Sequence, residues 1–452
     1  MRYILLTASL ICSLALSGFA QQAPPPNTPV SYSLADCINY AYEHQDSIKN
    51  AALDVKSAEY KVKETIGAGL PQVNGSISFQ DFLKPPATVG PNIFATPIDL
   101  NAPLIKFPFG AVKYNNTYSL QASQLLFSGS FFVGLQAVKT FKELSQRSLV
   151  RSRIETSVAV TKAYYQVLVS DEQIKLLDAN IAQLKQTLDQ TTQQNKQGFV
   201  EKIDVDRLSV QYNNLVTNRD NAQRALVLSS QMLKFQMGMP IEQELTLTDK
   251  LSDVNISQNA TDASDTSYYQ NRIEYKLLQT NIVLNQLDAK DKKAAYLPSV
   301  SLNAGFGEVF QENQFKYLYR HAYPNSYIGL GVNIPIFSGG QRLNQLRQSQ
   351  INVLKAQNDL HNATNGFKLQ ANAARITYEN SIRSLDNQKR SRELAQEVLR
   401  VSKIKYQQGV GSNIEVTQAQ TELESADNQY IQALYNALVS KVDLDKAYAR
   451  IN

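Results

Sequence analysis

The chain of 452 residues has no tryptophan, three histidines and two cysteines, and the scarcity of histidine and cysteine weighs against whole classes of function. His44, His321 and His361 fall in a first helix, a loop and a long helix. No H-x-x-x-H, C-x-x-C, G-x-S-x-G or phosphate-loop pattern accompanies them, so catalysis, a cofactor and a metal site have no sequence support. Forty-five basic against forty acidic residues give a formal charge of +5, spread along the chain, which gives nucleic-acid binding no support. Past the N-terminus, no apolar run approaches the roughly 20 residues of a spanning helix.

The N-terminus reads as an export signal. One basic residue, Arg2, precedes an apolar run from Tyr3 to Leu16 and the small-residue stretch Ser17-Gly18-Phe19-Ala20, so cleavage is expected after Ala20. Cys12 lies in mid-run behind Leu10-Ile11, without the small residue that precedes a lipidated cysteine. It leaves with the signal. The remaining Cys37 cannot form an internal bridge and is expected as a small core residue of a first helix.

What the chain does have is a repeat. Leu70-Pro71-Gln72-Val73 returns as Leu297-Pro298-Ser299-Val300, Phe127-Ser128-Gly129 as Phe337-Ser338-Gly339, and Gln197-Gly198-Phe199 as Gln408-Gly409-Val410. The order is kept, and the first half carries an insertion between its first two landmarks. The expected organisation is a signal peptide (1–20), a first repeat (21–240), a connecting segment (241–265) and a second repeat (266–452).

Between the first two landmarks of each half the pattern has a period of two. Val73, Ile77 and Phe79 alternate with Gln72, Asn74, Ser76, Ser78 and Gln80, and Tyr118, Leu120, Ala122 and Leu126 with Thr117, Ser119, Gln121 and Ser123. In the second half Val300, Leu302, Ala304 and Phe306 alternate with serine, asparagine and glycine, as do Ile328, Leu330, Val332 and Ile334. These are four strands of roughly ten residues, the length and alternation of tilted membrane strands. A soluble sandwich with one face in a core has the same pattern. The links inside the two hairpins, 83–113 and about 309–323, are expected as exposed loops, the first because of Pro85, Pro86, Pro91, Pro97, Pro103 and Pro108.

The rest is helical by pattern. Ile174, Leu177, Ile181, Leu184 and Leu188 repeat at steps of three and four, a coiled-coil seam in a proline-free segment from Ser128 to Lys196. Such a helix is roughly 100 Å long at about 1.5 Å per residue. The second half repeats it from Gly339 to Gln408 through Ile376, Leu385, Leu394, Val398, Val401 and Ile404. Gly198 and Gly409 stop the long helices, and shorter helices return to about Met237 and Tyr448. Other helices, about 33–67 and 266–295, precede each hairpin.

A four-stranded sheet in lipid would leave two edges unpaired, so strands that span require an oligomer. Two copies give eight strands and a filled lumen; three give twelve and room for water. The alternate face of Gln, Asn, Ser and Gly then lines a hydrophilic passage.

The signal, the duplicated hairpin-and-helix unit, the Leu-Pro strand openings, the Phe-Ser-Gly junctions and the segment from Tyr406 to Val416 resemble the TolC family of outer-membrane efflux proteins. The resemblance covers nearly the whole mature chain. It implies a homotrimer with a twelve-stranded barrel in outer-membrane lipid and a helical periplasmic conduit. It also implies docking to a periplasmic membrane-fusion adaptor and an inner-membrane transporter, for efflux or type I secretion. In that family a tyrosine, an arginine and two aspartates near the second helical turn hold the periplasmic end closed. Here Tyr406 and Glu415 match the tyrosine and the first aspartate, while Gly411 and Gln418 replace the arginine and the second aspartate.

Tyr406, Glu415, Gln418 and Asp204 are therefore the gate candidates. An acid in the first turn of a helix is also favoured by the helix dipole, which applies equally to Glu415 and is the favoured reading for Asp204. The turns Gly198-Phe199-Val200 and Gly409-Val410-Gly411 are adaptor-docking candidates, though capping alone accounts for their glycines. The competing class is a soluble periplasmic coiled-coil scaffold or adaptor, which explains the helices and the signal but not two alternating hairpins.

Overall fold

The computed structural model describes residues 30–85, 88–92, 103–107, 112–251 and 267–451. The signal peptide, Pro86, Pro97 and Pro108 of the first loop, and residues 252–265 of the connecting segment lie outside the described residues.

The first half runs β1 (Val30–Tyr32), α1 (Leu34–His44), α2 (Asp46–Gly67), β2 (Gln72–Asp81), β3 (Thr88–Gly90), β4 (Ile105–Phe107), β5 (Tyr114–Phe127), α3 (Gly129–Lys196) and α4 (Lys202–Met237). After β6 (Leu245–Leu247) the second half runs α5 (Tyr268–Asn271), α6 (Ile273–Ala294), β7 (Ser299–Glu312), β8 (Tyr323–Asn333), α7 (Gln341–Gln407) and α8 (Asn413–Ala447). The 68 residues of α3 and 67 of α7 make columns of about 100 Å.

Two expected helices are broken, and the breaks have a packing cause. At Gln45 the backbone turns extended (φ −68°, ψ 123°); its N–H closes α1 on the Ala41 carbonyl and its side-chain oxygen accepts from the Ser47 N–H to open α2. Gly238, in the left-handed region at φ 72°, ends α4 so close to this corner that a Cβ would lie 2.8 Å from the Gln45 Cα. The chain thus sets α4 end to end with α2 along α3. The second half breaks at Arg272, between α5 and α6, where the Tyr268 ring lies 4.6 Å from Tyr448 at the end of α8.

Ile174, Leu177, Leu184 and Leu188 pack on Leu208, Leu215 and Ala222 of α4, with Ile181 at the margin, so the seam read in the sequence is the α3/α4 seam. The second half departs from expectation. Of its expected stripe Leu385 packs on Ile431, Leu434 and Leu438 of α8, and Leu399 packs with Val416, Ala419 and Leu423, whereas Ile376 and Leu394 are 52% and 68% exposed and Val398, Val401 and Ile404 are exposed too. A period of 3.6 finds an apolar stripe but does not say which neighbour the stripe faces.

Where the halves meet, β1 pairs in parallel with β6, which falls inside the expected connecting segment. Cys37 is fully buried there with Ala41, Val160, Tyr164, Leu233 and Met237. Burial, first, and then the charges of Asp36 and Asp249 push its thiol up to about 12. Asp249 accepts from the Tyr164 hydroxyl (2.8 Å) and the Leu34 N–H (3.0 Å), pinning the strand pair to α3.

The sheet is antiparallel in the order β2-β5-β7-β8, so the two hairpins lie side by side through β5 and β7. Val309 to Glu312, expected in a loop, continue β7 because β5 begins at Tyr114 and offers them partners. The register shifts between Leu125 and Phe127, so Phe127, not Leu126, shares a face with its partner Val300. Ser128 caps α3 through its hydroxyl, which accepts from the Phe131 N–H at 3.3 Å. The matching helix starts two residues later than expected, at Gln341, after Gly340 at φ 80°.

Candidate functional site: a two-faced sheet above a helical tip

The register sorts the sheet into two chemistries. One face carries Val73, Ile77, Phe79, Leu120, Leu302, Phe306, Ile328, Leu330 and Val332, all at least 36% exposed. Nothing among the described residues covers it. The opposite face carries Gln72, Asn74, Ser76, Thr117, Ser119, Gln121, Ser301, Asn303, Asn325 and Asn333, interrupted by Gly305, Gly307, Gly329 and Gly331, and holds no charged residue on any of the four strands. Ser76 and Ser119 hydrogen-bond across it at 2.7 Å. An aromatic cluster rims the apolar face at the loop end, with Phe79, Tyr114 and Phe315 in mutual contact, and Phe310 between Tyr118 and Tyr319. Phe127, Phe131 and Phe132 cluster where the sheet meets α3. Two aromatic bands bounding an apolar face are the marks of a membrane strand. No described helix is long and apolar enough to cross a membrane.

At the other end, both helical turns are glycine caps. Gly198 sits at φ 79°, and the Phe199 N–H reaches back to the Gln194 carbonyl at 3.0 Å; Gly409 sits at φ 74°, with the Val410 N–H on the Lys405 carbonyl at 3.0 Å. Capping thus explains the glycines. It does not explain the neighbouring Phe199 and Val410, which are 76% and 78% exposed. Val200 is half-buried with its carbonyl bonded by Asn195, and Gly411 lies against Lys405 with no room for a Cβ.

The structure divides the gate candidates. Glu415 is exposed in the first turn of α8, where its N–H donates to the cap Ser412. Gln418 is exposed and donates to Glu422 at 3.2 Å. Asp204 is half-buried, and its backbone carbonyl accepts from the Asn413 side chain at 3.2 Å. Tyr406 is half-buried beside Leu399 and Val416, with its hydroxyl buried and unpaired. Three residues away, at Lys403, burial pushes the ammonium down to about 8 from 10.5. Folding therefore favours the neutral lysine: this contribution is present above pH 10.5 and lost as pH falls through 8. Lys403→Met is expected to raise the melting midpoint below pH 8 and leave it unchanged above pH 10.5, as a pH series of melting curves would show.

Sequence reasoning missed the contact between the two helix pairs. Asp427 is buried on α8 and accepts from Arg392 Nε at 2.7 Å and from Asn180 Nδ2 at 2.8 Å. Above it Val169 packs on Ile431, Leu434 and Leu438. Below it the contacts are polar: Asn218 to Glu424 (2.8 Å), Gln211 to Thr421 (3.3 Å) and Asn413 to Asp204. Buried polar atoms of Thr191, Gln211, Asn413 and Gln420 have no hydrogen-bond partner here. An acid and an arginine at seam-facing positions were the available signal.

A sheet with one face for lipid and one for water, standing on a long helical column, defines the subunit of a membrane channel. The family model described as outer membrane efflux protein matches residues 37–238 and 278–450, and the chain belongs to that family. Its outer-membrane location follows. The chain is 22% identical over 459 residues to outer membrane protein TolC of Escherichia coli, covering 98% of this chain and 86% of that one. It is also 22% identical to the proteases secretion protein PrtF of Dickeya chrysanthemi, covering 70% and 67%. In fold it resembles the crystal structure of CusC, with a TM-score of 0.76 at 16% identity over 95% of each chain.

Proposed function

We propose that three copies of this chain form an outer-membrane channel that carries efflux cargo or secreted polypeptides from a periplasmic conduit to the exterior. The observation that carries the reading is the uncovered apolar face backed by a charge-free polar face. In the sheet order, β2 and β8 are edges with no strand partner among the described residues and run in opposite directions, so β8 of one copy can pair antiparallel with β2 of the next and close the sheet.

The repeat supports the same closure in the helices. Inside the chain α3 packs on α6 and α8. Its counterpart α7 packs on α6 and α8 of its own half but has no comparable contact with α2 or α4 of the first half, and its exposed stripe of Ile376, Leu394 and Val398 matches the exposed Tyr60, Val227, Leu228 and Phe235 of those two helices. A neighbouring copy brings the two together. Three copies rather than two leave space for water in the lumen.

The polar, incompletely paired contact between the helix pairs makes the tip the place where the conduit opens and closes. A buried polar atom without a partner costs about 1–3 kcal/mol, which water entering on opening recovers. Tyr406, Glu415, Gln418 and Asp204 then bound the constriction, with less electrostatic locking than a charged latch. The exposed Phe199 and Val410 are the docking points for a periplasmic adaptor, itself coupled to an inner-membrane transporter.

The channel reading is tested by conductance of the purified particle in a planar bilayer: stable ion-conducting steps are expected, and an electrically silent particle contradicts it. For docking, Phe199→Ser and Val410→Ser together should leave the trimer intact and abolish efflux in cells. Unchanged efflux sinks the docking assignment.

A further inference from the structure

The polar face of the sheet is not uniform. On β8, Tyr323, Asn325 and Tyr327 all point to it, each 57% exposed in the case of the two tyrosines. Their cross-strand partners on β7 are Val309, Gly307 and Gly305. The Tyr327 ring lies across Gly305 so closely that a Cβ there would come within 2.4 Å of it, and Asn325 lies over Gly307 with its oxygen 3.0 Å from the corresponding point. Small residues on β7 thus let the tyrosine ring lie along the wall, with its other side open to the lumen. Gln121 pairs with Gly305 from the opposite side, and Asn303 lies one pair further along the same face.

We propose that Tyr323 and Tyr327 form a two-platform binding track in the lumen for neutral linear saccharides. The inference rests on the channel reading, which makes this face the lumen. Aromatic faces stack on the C–H face of a sugar ring, and the amides of Gln121, Asn303 and Asn325 supply donors and acceptors for its hydroxyls. The polar face carries no charged side chain, so it offers no counter-ion to a cationic or anionic cargo. The platforms are four positions apart along β8, about 13 Å at a rise of about 3.3 Å per residue, the length of roughly three linked sugars. Shielding of Gly305 by an aromatic neighbour also stabilises a sheet, and the test separates the two roles.

The measurement is single-channel current through the trimer in a planar bilayer with a linear malto-oligosaccharide added. Reversible interruptions are expected. In Tyr323→Leu/Tyr327→Leu, which keeps Gly305 covered but removes both aromatic faces, the apparent affinity should fall about tenfold, and Tyr327→Phe should retain it. A channel of normal conductance with no interruptions overturns the track while leaving the channel reading intact. So does block that persists unchanged in the double leucine variant, or block by a planar aromatic cation in place of the sugar. A particle that gives no current overturns the channel and the track together.

Discussion

Ile328→Arg is expected to abolish the membrane-inserted trimer, while Asn74→Arg, in the same sheet, leaves it intact. Ile328 is 76% exposed in the middle of β8 on the apolar face, opposite Ala304. An arginine facing lipid near the midplane costs about 2–4 kcal/mol, and symmetry repeats that cost in every subunit. Asn74 lies on the other face, paired with Gln121, where an arginine points into water. Native gel mobility of membrane-extracted protein reads both variants. Equal loss in the two would mean that the sheet does not have one lipid face and one water face, and a soluble scaffold would regain its case.

Asp427→Ala is the second large expected effect. It leaves Arg392 and Asn180 facing the α3/α8 contact without the carboxylate that pairs both, and breaking such a buried pair costs about 3–5 kcal/mol. The loss should concentrate below the apolar cluster of Val169, Ile431, Leu434 and Leu438, because the remaining contacts toward the tip are polar. Limited proteolysis should therefore cut the lower parts of α7 and α8 before the upper ones, and channel closures should become rarer. Asn180→Leu/Arg392→Met/Asp427→Leu removes the charges together and should regain most of the stability. If Asp427→Ala instead melts like the parent, the network does not hold the two helix pairs together.

The repeat, the four strands, the two long helices and their glycine stops were legible in the sequence because each rests on a local rule. Alternation marks a strand with two different faces, and glycine at Gly198 and Gly409 marks a left-handed cap. Element ends were less legible where a partner decides them. Val309 to Glu312 become strand only because β5 extends to Tyr114, and α1 ends at Gln45 because Gly238 packs into the corner. The second-half seam differs for a related reason: of the expected stripe Leu385 packs on the α8 cluster, while Ile376, Leu394, Val398, Val401 and Ile404 are exposed, and Leu399 takes the seam toward the tip. Of the gate candidates, Glu415 proves to be a first-turn residue beside a cap, and Tyr406 a packed residue with a buried hydroxyl. The Asp427 network joins residues 247 positions apart in the case of Asn180, and no local pattern announces it.

The central claim is that one chain is a third of a barrel. The most direct test is the protein mass of the membrane-extracted particle, by light scattering in detergent with the detergent contribution subtracted. A mass of three mature chains is the expected result. A monomer that stays in solution without detergent would contradict it.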